Sequence, residues 1–200
     1  MRFTKQEVLA AFEREDTSYR LAILSTHWLR NTAPFKPSAA HEAKGLSMRV
    51  GGQWVSFSDI AERLEQQGRE AVVSDFILTQ LHALIRAPLE LLDDYCEDYD
   101  KEVPGAELVT RLRTLPWYWF AKVIRNAVSH NFRYVFGKRD RQRLPLSWNG
   151  ITLTEDLDGK PITYETFWHK TGYELFLQMR TFAEALPEIP SGQIELDRAS

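Results

Sequence analysis

Apolar residues recur at helical spacing over most of the chain. Thr4 with Glu7 three residues later forms a capping-box signal, and Val8, Leu9 and Phe12 continue it with helical periodicity. Thr17 or Ser18 then opens a further helical stretch to about Leu29, so two amino-terminal helices are expected. Pro34 and Pro37 mark Asn31 to Gly45 as a loop, and Ser47 to Phe57 alternates around Gly51-Gly52 like a small hairpin. Ser56 or Ser58 begins a short helix that ends near Gly68. Ala71 to about Tyr99 holds the longest helical pattern, a broad stripe running from Val72, Val73, Phe76 and Ile77 through Leu81, Leu84, Ile85, Leu89 and Leu92. Pro88 lies inside it and is expected to kink or divide the helix.

Pro116 suits the first turn of another helix, whose opening residues Trp117 to Ile124 are apolar and aromatic enough to require burial. Further on, Leu146 to Leu153 and Pro161 to Tyr164, joined through Asp158-Gly159, read as a second hairpin, and Glu165 to Leu186 as a final helix. No internal repeat, low-complexity tract or linker divides the chain. The expected architecture is mainly α: a helical bundle with one or two small β-hairpin insertions, one domain over residues 1–186, and a flexible carboxyl-terminal tail over 187–200 that carries Pro187 and Pro190.

Composition fits this picture. In 200 residues, 44% hydrophobic and 12% aromatic content supplies a core and argues against disorder. A single cysteine, Cys96, permits no internal disulfide and suits a reducing compartment. The first residues lack an apolar run, and no window approaches the roughly 18 apolar residues of a membrane span, so a cytoplasmic protein without a membrane partner is expected. Against 28 acids stand 25 Lys and Arg, which leaves the mean charge uninformative. Its distribution is not. Glu90, Asp93, Asp94, Glu97, Asp98, Asp100 and Glu102 face Lys101 alone, whereas from Lys122 to Arg143 only Asp140 interrupts a basic stretch. A phosphate-binding surface is therefore expected at Lys122, Arg133, Lys138, Arg139, Arg141 and Arg143.

Within that stretch stands Arg125-Asn126-Ala127-Val128-Ser129-His130. A five-residue separation turns a helix through about 500° and leaves Arg125 and His130 roughly 140° apart around its axis, so they cannot share one face of a straight helix. If the helix ends near Ser129, with Asn131 at its carboxyl cap, His130 can fold back toward Arg125. An Arg fork suits a phosphate, and an imidazole titrating near neutrality suits proton transfer.

Ile124 to Asn131 resembles the R-x4-6-H motif of the HEPN superfamily, helical bundles in which a polar residue often follows the Arg, as Asn126 does here. The detailed resemblance covers under a dozen residues, with a compatible helical layout elsewhere. It implies metal-independent endoribonuclease activity on single-stranded RNA, with no cofactor. The 2′-hydroxyl attacks the adjacent phosphate and leaves a cyclic phosphate and a 5′-hydroxyl. Carried over residue by residue, His130 transfers a proton, Arg125 holds the phosphate, and Asn126, Ser129 and Asn131 support them. One imidazole per motif, against two proton transfers, implies a homodimer with a composite cleft. The resemblance further implies a toxin or defence component with a neutralising antitoxin or regulatory partner. Some antitoxin-paired members carry a Tyr two residues after the His; Phe132 stands here, so no modification of that Tyr carries over.

Other readings of the same residues stay open. Arg125 and His130 also suit a helix end, where positive charge complements the dipole. The bundle could bind RNA, a nucleotide or a protein without cleaving. Arg20 and His27 fit a six-residue spacing, but their apolar interval reads as core packing. The acidic segment reads as a solvated helix end or as a partner for Lys138 to Arg143 of the same or a neighbouring chain. Trp117, Tyr118 and Trp119 read as core or dimer interface, while Trp148 and Trp168, beside polar residues, are candidates for stacking on bases.

Overall fold

The computed structural model describes residues 3–31, 47–50, 52–163 and 166–190. Apart from Asn31, the loop expected up to Gly45 lies outside them, as do Tyr164, Glu165 and residues 191–200. The fold is mainly helical, with two small antiparallel hairpins. Its helices are α1 (Lys5–Asn31), α2 (Phe57–Gln67), α3 (Arg69–Glu102), α4 (Leu108–Arg113), α5 (Tyr118–Ser129), α6 (Lys138–Arg141) and α7 (His169–Glu184). The hairpins are β1 (Ser47–Val50) with β2 (Gln53–Ser56), and β3 (Leu146–Trp148) with β4 (Ile151–Leu153). The chain separates into two compact units, Met1–Tyr19 with Gln80–Ser200, and Arg20–Thr79.

In the larger unit α1 begins on the expected capping box: Thr4 N–H donates to Glu7 Oε2 (2.7 Å) and Glu7 N–H to Thr4 Oγ1 (3.2 Å). The expected break at Thr17 is absent, and one helix replaces two. The Thr17 hydroxyl donates to the Glu13 carbonyl at 2.8 Å instead of capping a new helix, a bond that leaves the backbone ladder intact. Phe12 packs on Phe176 of α7 with ring centroids 5.4 Å apart, and Tyr173 donates to Asp16 at 2.8 Å, so α1 and α7 run antiparallel. Gly172 of α7 lies against Leu81 of α3; a Cβ there would sit 3.1 Å from Leu81 Cγ. Pro88 neither divides nor ends α3. Leu84, Ile85, Leu89 and Leu92, all essentially inaccessible, anchor the helix on both sides of the missing N–H, and packing overrides the local cost.

Pro116 lies two residues before α5, whose N-cap is Trp117. The second hairpin differs from expectation. Strands β3 and β4 pair with each other, Leu146 opposite Leu153, through Asn149-Gly150, where both residues take positive φ (49° and 78°) as a two-residue hairpin turn requires. Asp158-Gly159 instead follows a 3-10 turn (Glu155–Leu157), and Pro161 bridges Arg133. The last helix begins at His169, four residues later than expected. Residues 187–190, expected to start a flexible tail, are held: the Tyr95 hydroxyl donates to the Pro187 carbonyl at 2.7 Å, and Ile189 is buried.

In the smaller unit the first hairpin forms in the expected place, with Ser47 opposite Ser56 and Val50 opposite Gln53. Helix α2 follows and stops before Gly68, whose φ of 85° costs glycine little.

Candidate functional site

Helix α5 buries Phe120, Ala121, Val123, Ile124, Ala127 and Val128, which turns Lys122, Arg125, Asn126 and Ser129 toward its polar side. It ends at Ser129, as the motif geometry requires. His130 itself is the C-cap, at φ −109° and ψ 54°, with its N–H shared between the Asn126 and Ala127 carbonyls (3.1 Å each). Asn131 is thus not the cap but the residue beyond it. Asn131 and Phe132 both adopt left-handed φ (56° and 55°), and this pair reverses the chain. The return is pinned by Ile162 N–H on the Phe132 carbonyl (2.7 Å) and Tyr134 N–H on the Lys160 carbonyl (2.9 Å). His130 is left exposed, and among the described residues its imidazole makes no hydrogen bond, to Arg125 or to any other group.

Arg125 is held firmly. Its Nη2 donates to Glu90 Oε1, its Nη1 to Asn126 Oδ1 (3.1 Å), and its Nε is buried without a hydrogen-bond partner among the described residues. Glu90 lies on α3, where His82, Arg86, Glu90, Asp93 and Glu97 follow one another every three or four residues along one face. That face meets α5 and the end of α4 in an antiparallel ladder. His82 lies opposite Ser129 and Glu90 opposite Arg125. Asp93 accepts from Lys122 (2.8 Å) and Tyr118 (2.7 Å), and Glu97 pairs with Arg113 (3.6 Å). The acidic segment thus serves this ladder and, through Asp100, accepts from the N–H groups of Leu108 and Val109 at the start of α4 (2.7 and 2.9 Å). Glu90, Asp93, Glu97 and Asp100 pair with groups of α3, α4 and α5 rather than with Lys138 to Arg143.

Glu90 accepts from Arg86 Nε as well, at 3.1 Å. Burial is the largest single influence and opposes its charge, but the hydrogen bonds and positive charges of Arg125 and Arg86 together outweigh it and hold its carboxyl below the usual carboxylate value. His82 Nε2 lies 3.4 Å from Ser129 Oγ, and Ser129 donates to the Arg125 carbonyl at 2.9 Å. Burial, then the positive charge of Arg86, push the His82 imidazole down; Glu90 acts in the opposite sense and Arg125 adds to the lowering. Sequence reasoning passed over His82, Arg86 and Glu90 as site residues. Their i, i+4, i+8 spacing was the available signal.

The basic stretch is partly neutralised by its own chain. Lys122 is engaged by Asp93, and Arg141 by Glu155 and Asp158 (2.5 Å each). Arg133 donates to the Gly159 carbonyl (3.0 Å), and Arg143 stacks 3.8 Å from the ring centre of Trp119, which is half-buried rather than fully buried. Lys138 and Arg139 are exposed, with no side-chain hydrogen bond or ion pair among the described residues. These two are the cations of the stretch best able to meet a phosphate backbone. At the opposite end of α5, Trp117 and Trp148 line a cavity of about 440 Å³ with Pro116, Asn149, Glu174 and Gln178. Arg20 and His27, read as core packing, are both exposed; Ala22 and Thr26 form the buried side of that turn.

No helix among the described residues is long and apolar enough to cross a membrane. Compared with protein-family models, with curated proteins and with solved structures, the chain finds no match.

Proposed function

We propose that the chain is a HEPN-type, metal-independent endoribonuclease that cleaves single-stranded RNA. In this reading it works in the cytoplasm as a homodimer and serves as a toxin or defence component held in check by an antitoxin or regulatory protein. The observation that carries the reading is the placement, within one turn and a half of α5, of a guanidinium held by Glu90 and an exposed imidazole at the helix end. Arg125 neutralises the phosphate as charge gathers on it, and His130 moves a proton. Glu90 now occupies part of the Arg125 fork, so RNA binding exchanges one anion for another. Lys138 and Arg139 steer the backbone.

The test is incubation of the full chain with labelled single-stranded RNA in excess chelator, with and without a candidate neutralising protein, followed by analysis of the ends. The reading expects cyclic phosphate and 5′-hydroxyl ends, suppressed by the partner. RNA left intact in every condition overturns it.

A second reading, a non-catalytic dimer that binds RNA, a nucleotide or a protein, is favoured by one observation: both terminal nitrogens of the guanidinium are already engaged, by Glu90 and Asn126. Salt-dependent RNA binding that is lost in Arg125→Ala, with no cyclic phosphate formed, selects it.

A further inference from the structure

Cleavage by 2′-hydroxyl attack needs two proton transfers, and the Arg125 motif contains one imidazole. A second one stands on the facing helix. His82 Nε2 lies 3.4 Å from the Oγ of Ser129, the last residue of α5, and His130 is the C-cap that follows it, so both imidazoles belong to the same end of that helix. The bonding of Ser129 favours one tautomer of His82. A serine hydroxyl has one proton, and its shorter bond, 2.9 Å to the Arg125 carbonyl, uses it. With that proton used, the 3.4 Å contact is met by the tautomer that carries its proton on Nε2 and its lone pair on Nδ1. In that tautomer Nδ1, which makes no hydrogen bond among the described residues, is the basic nitrogen.

The groups facing it keep it neutral. Arg86 and Glu90 come from its own helix and Arg125 from α5. Burial and the two guanidiniums disfavour a further positive charge more than Glu90 favours it. A group of this kind, beside a guanidinium able to hold phosphate, is matched to proton abstraction near neutrality.

We infer that His82 is a second catalytic residue, the general base of the site formed by Arg125 of its own chain, with His130 as the general acid. This rests on the ribonuclease reading above. Nδ1 of His82 takes the 2′-hydroxyl proton, and the 2′-oxygen forms its bond to phosphorus. The bond from phosphorus to the 5′-oxygen breaks, and that oxygen takes the proton of the His130 imidazolium. The products are a 2′,3′-cyclic phosphate and a 5′-hydroxyl. Each chain then holds both imidazoles, whether or not it pairs with another.

His82→Gln retains an amide N–H for Ser129 but has no titrating base, so it separates chemistry from positioning. In cleavage of single-stranded RNA by the full chain, kcat should fall about 10²- to 10⁴-fold with KM little changed, and the acid limb of the pH profile should disappear. An equimolar mixture of His82→Gln and Arg125→Ala chains should stay inactive, because each intact Arg125 then sits in a chain without His82. A His82→Gln chain that cleaves like wild type with its acid limb intact overturns the inference and leaves the ribonuclease reading standing. Recovery of activity in the mixture overturns the same-chain assignment. A wild-type chain that cleaves no RNA overturns both.

Discussion

Glu90 is the residue on which the site turns. One carboxylate oxygen accepts from both Arg86 and Arg125, so it holds two cations that a phosphate would otherwise attract. Glu90→Gln should therefore tighten binding of single-stranded RNA several-fold and steepen its salt dependence, read by fluorescence anisotropy over a salt series. Unchanged affinity would mean that Arg125 does not meet the backbone. Two residues also set a pH dependence. Both His82 and Glu90 are lowered from their ordinary values of 6.5 and 4.5, so the unfolded chain binds more protons at each and stability falls as pH falls. The denaturation midpoint should drop below about pH 6.5 through His82 and again below about 4.5 through Glu90. His82→Gln should flatten the first step and Glu90→Gln the second. Gly172 provides a packing test: with Leu81 fully buried against it, Gly172→Ala should cost about 1–3 kcal/mol in urea unfolding.

Among the elements, those written by a long apolar period were legible, and those written by one or two residues were less so. Most of the core stripe of α3 and the capping box of α1 followed from periodicity and cap chemistry, but Phe76 of that stripe is 39% exposed and His130, not Asn131, caps α5. Thr17 misled because a threonine can either open a helix or bond back to the preceding turn, and neighbouring packing decides which. The second hairpin was misplaced for a similar reason. Asp158-Gly159 and Asn149-Gly150 are both turn dipeptides, but only the latter has two consecutive positive φ values between paired strands. Gly150→Ala should therefore loosen that hairpin by on the order of 1 kcal/mol. The α3 to α5 ladder was hidden because the sequence gives the acids and bases but not their register. Asp93 tests it: Asp93→Ala leaves the buried Tyr118 hydroxyl without its acceptor and should cost about 1–3 kcal/mol.

At the scale of the whole molecule, a mean charge near neutrality conceals local compensation. The acids of α3 answer Lys122, Arg113, Arg125 and Arg86, while Glu155 and Asp158 answer Arg141; among the described residues Arg133 and Arg143 meet carbonyls and a ring but no acid, and Lys138 and Arg139 have no side-chain hydrogen bond or ion pair. The candidate residues themselves were legible, because the motif lies in one short stretch of chain. Their partners were not, because His82 and Glu90 reach the site only through the packing of two helices distant in sequence. Cys96, fully buried and with its thiol pushed up to about 12, should react with a thiol reagent only as fast as the chain opens. The decisive measurement for the ribonuclease is single-turnover cleavage of a 5′-labelled single-stranded RNA by wild type, Arg125→Ala and His130→Ala chains that share one unfolding midpoint. Wild type should give cyclic phosphate products and each variant should lose about 10²-fold or more; equal cleavage by all three chains, or none by any, would rule out a ribonuclease built on Arg125 and His130.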